Sequence, residues 1–222
     1  MELIPRALLA LFMYQKYRCS LSKRTGIYYV DSSRLEACHP KRVHQNKVMK
    51  GIAGWGKSSM GWFYGFKYHL VVNNLGEIMN VYLSSGNKAD NNVKILFYLT
   101  NNLSGALFGD RGYLLNEEKK AFIQKNNKLC IFTKRRKNMK KKDFPLQAKL
   151  WLAKRGIVES VINIHKSSCD IWHTRHRSPV NAFAHFIAGI CAYSFFQRKP
   201  STNINMEKNL LPQAPQKMLE AA

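Results

Sequence analysis

Apolar positions early in the chain fall in short runs of β-branched and aromatic residues, and from residue 93 onward these alternate with stripes at helical spacing. Gly-Ile-Tyr-Tyr-Val-Asp at residues 26 to 31 predicts a strand that stops in an Asp-Ser-Ser turn or cap. Residues 32 to 64, rich in Gly, Lys and Ser, predict an exposed basic loop. Gly65 to Asn73 and Ile78 to Ser84 are β-like runs joined by Asn-Asn-Leu-Gly-Glu, which is hairpin punctuation. Asn87 to Asn91 offer cap-type residues ahead of a helical stripe at Val93, Leu96, Phe97, Leu99 and Leu103. The apolar run Ala106 to Gly109 then predicts a fourth strand, ending on Asp110. Residues 115 to 126 read as a helix, Lys128 to Thr133 as a fifth strand, Pro145 to Ser168 as one long helix and Ser178 onward as an apolar helix. After Gln197 the sequence turns polar and loses periodicity, so residues 199 to 222 predict a disordered tail. Residues 1 to 25 are expected to form a lead-in helix, and residues 26 to 198 one domain.

Charge changes the picture most. The 222 residues hold 36 Lys plus Arg against 13 Asp plus Glu, a net charge of +23, which draws the chain toward phosphate-rich partners. Nucleic acid is the first candidate and an anionic membrane surface the second. Residues 134 to 142, Lys-Arg-Arg-Lys-Asn-Met-Lys-Lys-Lys, repel one another strongly and suit a phosphate contact better than a bare solvated loop. Residues 180 to 197 just reach the ~17 to 25 residues of a membrane span, but Asn181, His185 and Ser194 favour a buried packing helix. Cys19, Cys38, Cys130, Cys169 and Cys191 form no Cys-x-x-Cys pair, which argues against a zinc site or a disulfide framework and for a cytoplasmic protein. No clean cleavage site follows the short apolar stretch at the N-terminus, which argues against a secretory signal.

Three acids then stand out against the basic background: Asp31, Asp110 in Leu-Phe-Gly-Asp-Arg-Gly-Tyr, and Glu159 in Lys-Arg-Gly-Ile-Val-Glu-Ser. Singly, each has a structural explanation: a strand-end cap, a turn residue, a surface helix residue paired with Arg155. Jointly they point to chemistry. Asp31 and Asp110 end the first and fourth expected strands, and Arg155, Glu159 and Lys166 share one helix face by their offsets of four and seven. The element order resembles the ribonuclease-H-like fold, an α/β architecture with a mixed sheet flanked by helices. Neighbouring strand ends there hold carboxylates side by side, as two divalent cations ~3.5 to 4 Å apart require.

Longer motifs carry a more specific resemblance. Val-Asp-Ser-Ser-x-Leu with Cys38 and His39, the run Gly-Lys-Ser-Ser-Met-Gly-Trp-Phe-Tyr-Gly-Phe-Lys at 56 to 67, residues 107 to 113, Lys-Arg-x-x-x-Glu at 154 to 159 and Arg-His-Arg-Ser-Pro-Val-Asn at 175 to 181 resemble the DDE transposases of bacterial insertion sequences. The nine-eighty-two group is the best match, over residues 1 to 198. The resemblance implies that Asp31, Asp110 and Glu159 are the catalytic, metal-binding triad, holding two Mg²⁺ or Mn²⁺ ions. Arg155, Glu159 and Lys166 also fit a signature of related transposases whose tyrosine position holds Leu152 here, so no role for that tyrosine is inherited. The implied partner is DNA, both element ends and target, bound by a homo-oligomer in the cytoplasm at the nucleoid, with no membrane. Expected DNA contacts are Lys57, Lys67, Lys134, Arg135, Arg136, Lys137, Lys140, Lys141, Lys142, Arg155 and Lys166. Trp55, Trp62, Phe63 and Tyr64 are candidates for stacking on an unpaired base or for core packing. His173 and His176 read as helix-boundary or DNA-contact residues rather than zinc ligands. Only thirty residues precede Asp31, so an N-terminally truncated copy, active or inactive, is expected. A nuclease on the same fold, or a DNA-binding remnant, is the alternative.

Overall fold

The computed structural model describes residues 3–134, 144–173 and 176–204. Helix α1 (Leu3–Leu21) leads into strand β1 (Ile27–Cys38), followed by β2 (Gly54–Ser58), β3 (Gly61–Asn73) and β4 (Ile78–Ser85). Then come α2 (Val93–Leu99), β5 (Gly105–Gly109), α3 (Glu117–Asn127), β6 (Leu129–Thr133), α4 (Leu146–Ala153), α5 (Gly156–Ser167) and α6 (Pro179–Tyr193). All six strands join one sheet in the order β2-β3-β1-β5-β6, with β4 also on β3. Strand β3 runs antiparallel to β1, while β5 and β6 run parallel to it. The outer edge of β3 is shared end to end, its first residues pairing with β2 and its later ones with β4. Leaving β2 aside, this is the mixed-sheet order of the ribonuclease-H-like fold expected from the sequence.

Each face of the sheet has its own core. Tyr29 and Leu35 of β1 with Tyr68, Leu70 and Val72 of β3 pack under α4, α5 and α6, around Trp151, Val158, Val161 and Tyr193. The alternate residues Tyr28, Val30 and Val71 pack under α2 and α3, with Leu96, Leu99, Tyr113 and Ile123. Helix α1 lies along α6.

Three expectations are corrected. The basic loop expected at 32 to 64 is about half sheet: β1 continues seven residues past Asp31, and β2 and the start of β3 form a hairpin. Leu35 and Ala37 are the signal, two buried residues alternating with polar ones beyond the Ser-Ser pair. Gly54, Gly56 and the following Gly65 serve close packing, since a Cβ on Gly65 would lie 2.1 Å from the Leu35 carbonyl oxygen. The helix expected at 145 to 168 is two helices, α4 and α5, parted at Lys154 and Arg155. Gly156, a weak helix former, opens α5, whose Ile157, Val158, Val161, Ile162 and His165 are buried in the core. The opening of the expected tail is packed: Thr202 N–H donates to Asn74 O at 3.0 Å and Ile204 rests on the core, while residues 205–222 lie outside the described residues. Among the described residues no helix is long and apolar enough to cross a membrane.

Candidate active site

Strands β1 and β5 pair in parallel only through Tyr29 and Phe108, and beyond that point the two chains part. Extending their register would set Asp31 beside Asp110. Asp31 therefore lies within a long strand rather than at its end. Its side chain shares the face of Tyr29 and Leu35, the face covered by α5. Its Oδ1 accepts the Ser32 N–H at 2.8 Å. Asp110 follows β5 and caps a short 3₁₀ turn over Arg111–Tyr113, its Oδ1 accepting the Gly112 N–H at 2.7 Å. Glu159 occupies the first turn of α5. Arg155, at the α4–α5 break, bridges two of the acids: Nη2 lies 2.9 Å from Glu159 Oε1 and Nη1 lies 3.9 Å from Asp31 Oδ2.

The three carboxylates share one electrostatic field. Burial, joined by the negative charges of Asp110 and Glu159, pushes the Asp31 carboxyl up to about 7, against the opposing pull of the Ser32 N–H and the Arg155 guanidinium. Among the described residues no three His, Cys, Asp or Glu side chains are gathered tightly enough to hold a metal ion as they stand. The donor set nonetheless fits Mg²⁺ or Mn²⁺ in kind, being all oxygen and anionic, and a divalent cation would relieve the repulsion that raises Asp31.

The expected basic contacts divide. Lys166 lies over the Trp172 ring at 4.1 Å, close enough to feel Asp31, and burial lowers its pKa. Lys57 is exposed on the β2–β3 hairpin beside Trp62, and Lys134 is exposed where β6 ends. Lys67 is engaged differently: its side chain, 14% exposed, pairs with Asp90 at 3.2 Å on the α2–α3 face. Arg135, Arg136, Lys137, Lys140, Lys141 and Lys142 lie outside the described residues. Of the four aromatics, Phe63 and Tyr64 are buried, whereas Trp55 and Trp62 are 43% and 62% exposed on the hairpin.

Sequence reasoning missed two features. Asp90 sits inside the cap-type run, although the cap of α2 is Asn92 and Asp90 instead accepts the Ser32 hydroxyl at 2.8 Å. His185 joins His173 and His176, with ring centroids 5.0 to 5.5 Å apart; two of these rings bond to the carbonyls of Asp170 and His173. Sequence distance hid that grouping.

Known proteins offer the following likenesses. A search of curated proteins finds no match. Among solved structures, the intasome of simian T-cell lymphotropic virus in complex with the PP2A regulatory subunit B56 gamma is similar at 8% identity and a TM-score of 0.36. The alignment covers 87% of this chain, which thus spans 58% of that one. The family described as Transposase DDE domain matches residues 21–179, a stretch that holds Asp31, Asp110 and Glu159. With most of its length matched, this chain belongs to the DDE-domain transposase family.

Proposed function

We propose that this chain is the transposase of an insertion sequence of the nine-eighty-two group, cutting DNA at the element's ends and joining the freed ends to target DNA. The observation that carries the reading is the shared field of Asp31, Asp110 and Glu159 where β1 and β5 part. Asp31, Asp110 and Glu159 would hold two Mg²⁺ or Mn²⁺ ions, which when bound supply Lewis acidity toward a water and a leaving 3′ oxygen. Water oxygen bonds to phosphorus, the phosphorus–3′-oxygen bond breaks, and the released 3′ hydroxyl attacks a target phosphodiester in the same way. No covalent protein intermediate is needed.

The chain's own groups hold the DNA in place for this chemistry. Arg155 and Lys166, on the site side of α5, face the scissile phosphate. Lys57 and Lys134 track the backbone further out, and the basic run 135–142 adds charge for further phosphates. Trp55 and Trp62 offer stacking surfaces on the hairpin edge, with base stacking worth ~1 to 3 kcal/mol each. Both element ends must be cut together, so the working form is a homo-oligomer on DNA.

Supercoiled plasmid carrying the DNA that flanks this reading frame, incubated with protein and Mn²⁺, tests the reading. Nicks mapping to the flanks, together with joined products, are expected. Nicking without joining would leave a nuclease on the same fold, and absence of metal-dependent nicking would overturn the proposal.

A further inference from the structure

Asp31 points toward α5, so Ser32 points to the opposite face, among the side chains packed under α2 and α3. There its hydroxyl donates to Asp90 Oδ1 at 2.8 Å, and the same oxygen takes Lys67 Nζ at 3.2 Å. Ser32 thus carries two bonds in opposite directions, its N–H to Asp31 and its hydroxyl to Asp90.

The other oxygen of Asp90 reaches the second aspartate's turn. A Cβ placed on Gly112 would lie 3.0 Å from Asp110 Oδ1 and 3.3 Å from Asp90 Oδ2, so both carboxylates lie close to that glycine. Gly112 is the residue whose N–H holds Asp110. A second observation points to the same place. Tyr113 is 1% exposed, and its hydroxyl lies beside Ser32 and within the fields of Asp90, Asp31 and Asp110.

We infer that Asp90 is a positioning residue for both aspartates of the site, acting from the far face of the sheet through Ser32 on β1 and through the Gly112 turn after β5. Its consequence for metal binding rests on the proposed function; its structural action does not. Outer partners of metal-binding groups typically alter affinity by about 10- to 100-fold when removed.

The test uses full-length, metal-free protein. Amide hydrogen exchange is measured by NMR in wild type, Asp90→Ala, Asp90→Asn and Ser32→Ala, with Mn²⁺ affinity measured by calorimetry on the same samples. In Asp90→Ala, the Ser32 and Gly112 amides should exchange at least about tenfold faster while the rest of β1 is unchanged, and Mn²⁺ should bind about tenfold more weakly. Ser32→Ala should reproduce the Mn²⁺ loss. Asp90→Asn, which keeps an oxygen acceptor for Ser32, should restore most of both. Unchanged exchange at the two amides in a folded Asp90→Ala protein would overturn the inference, as would Asp90→Asn behaving like Asp90→Ala. Failure of the wild type to bind Mn²⁺ would overturn the metal reading instead, and the amides alone would then decide the role of Asp90.

Discussion

Asp31 holds its proton more tightly in the folded chain than in the unfolded one, because burial and two neighbouring carboxylates raise it from 3.8 to about 7. The stability it contributes is therefore complete below about pH 4 and is lost as pH rises toward about 7. Asp31→Asn removes that loss. The metal-free variant should be more stable than wild type at pH 8, by up to about 4 kcal/mol for a shift of about three units, with a smaller gain at pH 5. Urea midpoints at the two pH values check this. Gly65 gives a second residue-scale prediction. With the Leu35 carbonyl 2.1 Å from where its Cβ would go, Gly65→Ala should force β1 and β3 apart and lower stability by about 1 to 3 kcal/mol in urea unfolding.

Helix α5 delivers Glu159, and among the groups that hold it to the body His165 is the one that titrates. That ring lies 3.0 Å by Nδ1 from the Tyr68 hydroxyl on β3 and meets Tyr193 of α6 edge to face at 4.7 Å. Burial keeps it neutral by lowering its pKa from 6.5 to about 3. The unfolded chain binds that proton first, so stability contributed by the neutral ring is present above pH 6.5 and is lost progressively as pH falls toward about 3. His165→Gln, which keeps an acceptor for Tyr68, should flatten the fall in urea midpoint between pH 7 and pH 4.5. A slope equal to that of wild type would mean that other groups set the acid limb. How far these elements could be read in advance depended on the kind of pattern they carry. Strands such as Ile27 to Val30 and Leu129 to Thr133 declare themselves by continuous apolar runs. The later half of β1 does not, because Ser32, Ser33, Arg34 and Glu36 mask an alternation that only Leu35 and Ala37 betray. The break at Arg155 was equally hidden, since one glycine in a helical pattern is compatible with either a kink or a continuous helix. The three acids were legible as candidates because each sits within a recognisable motif. Asp90 was not: its partners Ser32 and Lys67 lie 58 and 23 residues away and meet it only through the sheet.

At the scale of the molecule, a net charge of +23 makes DNA affinity a function of salt. Each neutralised phosphate should contribute about −0.9 to the slope of log K against log salt, so five contacts within residues 134 to 142 would contribute about −4.5. Lys57→Ala and Lys166→Ala should each make the slope shallower by about 0.9 in fluorescence-anisotropy titrations. Lys67→Ala should leave it unchanged, since that charge is spent on Asp90 on the other face of the sheet. A slope change for Lys67 equal to that for Lys57 would place the DNA on the wrong side of the sheet for the proposed site.

The most direct measurement compares wild type with Asp31→Asn, Asp110→Asn and Glu159→Gln for Mn²⁺-dependent nicking of supercoiled plasmid, at protein concentrations giving equal DNA occupancy. The account predicts nicking by wild type, its loss on chelation of the metal, and its loss in all three variants with DNA binding retained. A variant of any of the three that nicks as fast as wild type would contradict the assignment of these carboxylates as one catalytic site.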